Sequence, residues 1–362
     1  MKDYQFAYGK GSVTVPLDER SVLAVLHGNE APAMQDIRAG LVESLENPIG
    51  AKPLREEIPA GARVALVVSD MSRFWMRQDL VIPHLVAYLH TACGVSYERL
   101  TIVVANGTHL GGSEQELRTL VTPEVFDRVK VENHDCEAKD LVYLGTTAHD
   151  TPVWINHTVA AADFVVCLGA CTHHIMAGFG GGRKSILPGV SGLQTIRHNH
   201  AYSLDPDTLR SNPKIGNGVL EGNPLHEDMC EAAAMLPHLF MVNLVMNAQM
   251  QLCAIFSGHY LKSWEEGCRL VNKIYQVDVP EQADAIVTSC GGFPKDMSLY
   301  QGTKTIDNAN GPIAVPSHCW KVLLRQRGNQ NRQISQFKAD ELKAIGFVFT
   351  NDAAGAATSI ES

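Results

Sequence analysis

The sequence predicts an α/β protein of two α/β domains. Residues 1–275 form an N-terminal doubly wound, mostly parallel sheet, residues 276–362 a smaller C-terminal α/β domain, and the active site lies in the cleft between them. Three observations carry this. Short apolar runs alternate with helical stretches, as in βαβ units. The chain of 362 residues exceeds the usual size of one domain. Polar, chemically able residues gather just after the apolar runs, where open α/β sheets bind ligands.

The elements follow in order. Arg63–Ser69 is an apolar run ending in a polar turn, the pattern of a strand buried on both faces. A helix is predicted over Pro83–Cys93, with Pro in its first turn and Gly94 past its end. Leu100–Ala105 repeats the buried-strand pattern. Helices over Ser113–Val121 and Pro123–Val129 lead to strands near Val142–Leu144 and Phe164–Leu168. Leu239–Phe256 gives one or two strands and Ser263–Tyr275 an amphipathic helix. In the second domain Ala283–Ser289 reads as a strand and Ser298–Ala309 as a helix, and the tail after Gly311 is short and atypical for a finished domain.

Composition narrows the function. With 39 acidic against 30 basic residues and no basic run, nucleic acid is not an expected partner. The N-terminus lacks a signal-peptide core and no apolar stretch reaches bilayer length, so no membrane is expected and the protein is placed in the cytoplasm. Nine cysteines without a Cys-x-x-Cys pair fit reduced thiols rather than a disulfide framework.

The predicted strand ends deliver Asp70 and Arg73, then Asn106-Gly107-Thr108-His109, then Cys171-Thr172-His173-His174. Taken singly, each reads equally as a helix cap or a loop partner; together they converge on one crevice. Next comes the glycine-rich segment His174–Gly189, in which Gly180, Gly181 and Gly182 precede Arg183 and Lys184. Glycines beside a lysine suggest backbone amides that cradle a phosphate. A phosphate-loop NTPase is the obvious rival and fits badly, because Arg183 stands where that motif has glycine and Pro188-Gly189 where it needs continuous helix. The segment is therefore expected to bind a mononucleotide-like group without hydrolysing it. Ser191–Gln194 reads as a capping box opening a helix that places Ile196 and His200 on one face. An imidazole there suits nickel, zinc, copper or iron, yet no neighbouring ligand set completes a metal site.

Asp70-x-x-Arg73, Ala105–His109, the His174–Lys184 segment, Asn199-His200 and Gln301-x-x-Lys304 together resemble the nickel-pincer-nucleotide-dependent lactate racemase family, from about Tyr8 to Ala309. The family's usual Thr-Arg-Pro reads Ser72-Arg73-Phe74 here. The resemblance implies racemisation or epimerisation of a small 2-hydroxy acid by hydride transfer to a nickel pincer nucleotide, a pyridinium-3-thioamide-5-thiocarboxylic acid mononucleotide carrying Ni. It implies that Lys184 tethers the cofactor, with Asp70, Gly180, Gly181 and Gly182 also on the cofactor side, and that His200 binds the metal. His109 and His174 become the acid–base pair, and Arg73, Gln301 and Lys304 hold the substrate. Such a pair suits the chemistry, because the α-hydrogen of a hydroxy acid is too weakly acidic for histidine to remove as a proton. If the hydrogen instead leaves as hydride, a base is needed only at the hydroxyl, one on each face of the planar keto acid. Two other readings are a mononuclear metal hydrolase on His109, His174 and His200, and a cofactor-binding relative with impaired catalysis.

Overall fold

The apolar runs form strands because their side chains alternate between two buried faces, and the polar stretches between them form helices that cover those faces. The computed structural model describes residues 1–208, 210–279, 283, 285–293 and 321–324. From the N-terminus, β1 (Lys2–Tyr8), β2 (Gly11–Leu17) and β3 (Val22–Leu26) precede α1 (Ile37–Glu46), α2 (Leu54–Glu57) and β4 (Val64–Ser69). They are followed by α3 (Ile82–Thr91), β5 (Leu100–Ala105), α4 (Glu114–Val121), α5 (Pro123–Phe126) and β6 (Lys130–Asn133). Next come β7 (Val142–Thr146), β8 (Pro152–Ile155), α6 (His157–Ala161), β9 (Phe164–Ala170), β10 (His173–His174) and β11 (Gly178–Phe179). The series closes with α7 (Leu193–Ala201), α8 (Pro224–Ala234), β12 (Leu239–Met246), β13 (Leu252–His259), α9 (Lys262–Tyr275), β14 (Ala285–Thr288) and β15 (Lys321–Leu324).

Contacts divide the chain into two compact units, Pro32–Asn272 and Met1–Ala31 together with the segment from Lys273 onward. Residues 1–31 are thus grouped with the segment from Lys273 onward. The reason is long-range pairing: β3 lies antiparallel to β15, and β15 to β14. No local pattern announces such a register. In the same unit β1 and β2 form a hairpin over a small cluster of Phe6, Val15 and Leu17.

The larger unit is built on a six-stranded sheet in the order β13-β12-β9-β4-β5-β6. All neighbours are parallel except β13, which returns antiparallel beside β12. Leu66, Val68, Ile102, Val104, Val166 and Leu168 face α1, α3 and α4, while Ala65, Val67, Val103, Val165 and Cys167 face α7 and α8. A core covered on both sides is what continuous apolar runs require. The predicted strand near 142–144 exists but pairs only with β8, outside this sheet, and its Val142 and Tyr143 are exposed. The edge position is taken instead by β6, whose Lys130 and Glu132 hide it from a search for apolar runs.

The topology fixes where a ligand can sit. After β4 the chain crosses to the α3 face and moves outward to β5 and β6; after β9 it crosses to the α7 and α8 face and moves the other way to β12. Adjacent strands whose connections leave toward opposite faces open a crevice at their carboxyl ends. That switch point lies between β4 and β9.

Candidate active site

Three segments meet the switch point. The first begins at Asp70, directly after β4, and turns through a short 3-10 helix, Met71–Met76. Asp70 is buried and its Oδ2 lies 2.5 Å from Nδ1 of His109. Register explains the meeting: Ser69 and Ala105 are opposite residues of adjacent parallel strands, so the loops that follow start side by side. Oδ1 of the same carboxylate accepts the Ser72 hydroxyl at 2.7 Å, and Ser72 Oγ in turn accepts Nη1 of Arg73. Burial alone raises the Asp70 pKa, but the His109 hydrogen bond, the Arg73 charge and the Ser72 hydroxyl outweigh it and hold the carboxyl below its usual value. Because an ionised carboxylate only accepts, His109 carries its proton on Nδ1 and leaves a lone pair on Nε2. Asp70 thus orients a histidine. The remaining guanidinium N–H groups of Arg73 have no hydrogen-bond partner among the described residues.

The second segment is the loop Asn106–Gly112, whose ring-bearing residue His109 is exposed. Gly107 there has φ +55°, and its amide donates to the Gly189 carbonyl at 2.9 Å, which ties this loop to the lysine-bearing segment.

The third segment runs from Cys171 to Ser185. His174 sits in a tight antiparallel hairpin opposite Gly178. Its Nδ1 faces the amides of Met176 and Ala177, each at 3.2 Å. An amide only donates, so Nδ1 is the acceptor and the neutral ring carries its proton on Nε2. His173 serves packing instead, stacked on Phe179 with Nε2 2.8 Å from Asn272 Oδ1.

Lys184 lies in a 3-10 turn, Gly182–Ser185, under the carboxyl end of β9. The glycines before it are set first by packing: a Cβ on Gly181 would lie 2.6 Å from the Ala170 carbonyl oxygen, and one on Gly182 2.5 Å from the Trp264 ring. The amides of Gly181 and of the buried Gly182 and Arg183 nevertheless find no hydrogen-bond partner among the described residues. Such orphaned donors fit an anionic group.

His200 rides on α7. The predicted capping box is corrected: the N-cap is Gly192, with no side-chain cap, because the buried Ser191 hydroxyl donates to the Ile186 carbonyl. The helix is anchored through Asn199, whose Nδ2 donates to the buried Asp228 carboxylate at 2.8 Å. Nδ1 of His200 donates to the Ile196 carbonyl at 3.0 Å, so its Nε2 has the lone pair that a metal-binding imidazole needs. Among the described residues no three His, Cys, Asp or Glu side chains gather as a metal site. Gln301 and Lys304, and the helix predicted over Ser298–Ala309, lie outside the described residues. No described helix is long and apolar enough to cross a membrane.

Sequence reasoning missed Ser72 as the link between Asp70 and Arg73, and Arg183 as more than a departure from a nucleotide motif. Neither carries a local signal, since both act through partners brought by the fold.

Residues 8–211 match the lactate racemase N-terminal domain. The chain is 29% identical over 310 residues to a lactate racemase of Thermoanaerobacterium thermosaccharolyticum, spanning 84% of this chain and 70% of that one. It is 27% identical over 300 residues to one of Lactiplantibacillus plantarum, spanning 82% and 69%. The solved lactate racemase apoprotein of the former organism superposes with a TM-score of 0.74 at 29% identity, covering 84% of this chain and 70% of that one. A Thermotoga maritima protein shares the fold at 20% identity, with a TM-score of 0.53 over 71% of this chain and 64% of that one. With more than half its length matched, the chain belongs to the lactate racemase family and is an isomerase.

Proposed function

We propose that the protein interconverts the enantiomers of a small 2-hydroxy acid, lactate or a close relative, with His109 and His174 working on the substrate hydroxyl. The observation that supports this most is the continuous chain from Arg73 through Ser72 and Asp70 to His109. It joins a carboxylate-binding cation to an oriented base. His109 Nε2 takes the hydroxyl proton, and Asp70 stabilises the imidazolium that forms. His174 presents the opposite tautomer, a proton on Nε2, and returns a proton to oxygen. Arg73 binds the substrate carboxylate through its planar fork, which lysine cannot copy. Gln301 and Lys304 complete the substrate contacts in this reading.

A nickel pincer nucleotide fits the residues present: the orphaned amides before Lys184 suit its phosphate, Lys184 its tether, and the oriented Nε2 of His200 its nickel. When bound, that group supplies an electron-poor pyridinium carbon able to take the C2 hydrogen as hydride. The eight cysteines among the described residues are free thiols, which supports a reducing, cytoplasmic setting.

The test uses protein from a host that makes the cofactor. One enantiomer of lactate deuterated at C2 is supplied in ordinary water and the product resolved on a chiral column. Inverted product that keeps most of its deuterium is expected. No inversion of lactate or of other small 2-hydroxy acids would overturn the function; inversion with the label lost would leave the function and overturn the hydride route.

A further inference from the structure

Arg183 has no part in the chemistry above, yet it is fully buried. Its guanidinium carbon lies 4.0 Å from the centre of the Trp264 ring, and no carboxylate pairs with it among the described residues. Burial pulls it down to about 10, so it remains a cation at neutral pH. Its ionisable neighbours do not neutralise it. Burial pushes the Cys230 thiol up to about 11, and burial and then the Arg183 charge push His226 down to about 3. A bare charge in the interior is costly, and an apolar side chain of similar volume packs without that cost. Something other than stability accounts for it.

What the charge holds is backbone. Nη1 donates to the Phe179 carbonyl at 2.8 Å and Nη2 to the Ala177 carbonyl at 2.6 Å, while Nε donates to His226 Nδ1 at 3.2 Å. Ala177 and Phe179 flank Gly178, the residue opposite His174 in the hairpin. The amide of the same Ala177 donates to His174 Nδ1. One residue thus joins the guanidinium, through its carbonyl, to the imidazole, through its N–H. Trp264 closes the arrangement, its ring under the guanidinium and its Nε1 donating to the Gly180 carbonyl at 2.8 Å.

We propose that Arg183 is a positioning residue for His174: its fork pins the His174 hairpin to the turn that carries Lys184, and so holds His174 in the form with Nδ1 accepting and the proton on Nε2. The proposal rests on the reading of His174 as an acid–base group. Two carbonyls spanned at once require a planar fork, which a lysine point charge does not provide.

The test is ring-nitrogen NMR of the full-length protein labelled with 15N-histidine, with His174→Gln to assign the resonances. In the native protein His174 Nδ1 is expected at an acceptor shift and Nε2 at a protonated one. In Arg183→Lys both are expected to move toward the averaged shifts of an unconstrained imidazole. In loaded enzyme kcat should fall by about 100-fold with KM little changed, as for a misplaced catalytic group, and the pH profile of kcat should shift. Thermal melting checks that the variant is folded. Unchanged His174 shifts in folded Arg183→Lys would overturn the proposal. If that variant does not fold, Trp264→Phe, which keeps a ring under the guanidinium and drops the bond to Gly180, should give the same movement in smaller amount, and its absence is equally decisive against the proposal. Moved shifts in a protein that inverts no hydroxy acid would support the positioning while overturning the racemase reading.

Discussion

The loop that carries His109 and the hairpin that carries His174 solve one problem in two ways. His109 sits on an exposed loop and is oriented by a single short bond to a buried carboxylate. His174 sits in a hairpin and is oriented by backbone amides, with a buried cation behind them. A carboxylate forces Nδ1 to donate; amides force it to accept. Two residues of one type therefore present a lone pair on one side and a proton on the other, with no difference in their own chemistry. The surroundings, not the residue type, decide which ring nitrogen carries the proton.

The two arms also answer differently to acid. Asp70 has a folded pKa below its unfolded value of about 3.9, so what it contributes is present above that value and is lost only as pH falls through the lower, folded one. His226, which accepts from Arg183 behind the hairpin, is lowered from 6.5 to about 3 by burial and the Arg183 charge. The folded state therefore prefers it neutral. That contribution is complete above about pH 6.5 and declines as pH falls toward 3. Acid weakens the hairpin arm first.

The sharpest way to break the contrast is Asp70→Asn. An amide in place of the carboxylate can donate to His109 Nδ1 and place the proton on Nε2, which makes both histidines donors. We expect kcat to fall by roughly 10³–10⁴-fold with the fold intact by circular dichroism. Arg73→Lys leaves the histidines alone and removes the planar carboxylate contact. KM for the hydroxy acid should rise roughly 10–100-fold, while nickel content, measured on the purified protein, should not change. His226→Gln keeps an acceptor for Arg183 and removes the titration. Urea unfolding should show native stability falling by roughly 1–2 kcal/mol between pH 7 and pH 5 from this group, and the variant losing that share of the slope. Least affected should be Ser72→Ala, which cuts the link from Arg73 to Asp70 but leaves the Asp70–His109 bond. A loss of about 2–10-fold in kcat/KM is expected.

Legibility in the sequence followed the range of the interactions. β4, β5 and β9 were readable because strands buried on both faces must be apolar throughout. β6 was not, since an edge strand with Lys130 and Glu132 has only one covered side to satisfy. β3 was silent because it finds its partner nearly the whole chain away, at β15. In the site, His109, His174 and Arg73 stood out from their places after strands, but the contacts that orient them could not be read locally. That Asp70 meets His109 follows from the pairing of Ser69 with Ala105, a register visible only once the strands are known to be neighbours. The glycines misled in part: Gly181 and Gly182 are needed first by Ala170 and Trp264, and only their unpaired amides speak for a ligand.

Gly182 also limits how this protein can change over time. A single added carbon at that position would lie 2.5 Å from Trp264, on a backbone whose φ of +54° already disfavours side chains. Any side chain there must displace the buried Trp264 ring. Trp264 would have to shrink first, and that change loosens the seat of Arg183 before any benefit at 182 could appear. The two positions are therefore coupled, and the turn beside Lys184 tolerates little change at either one.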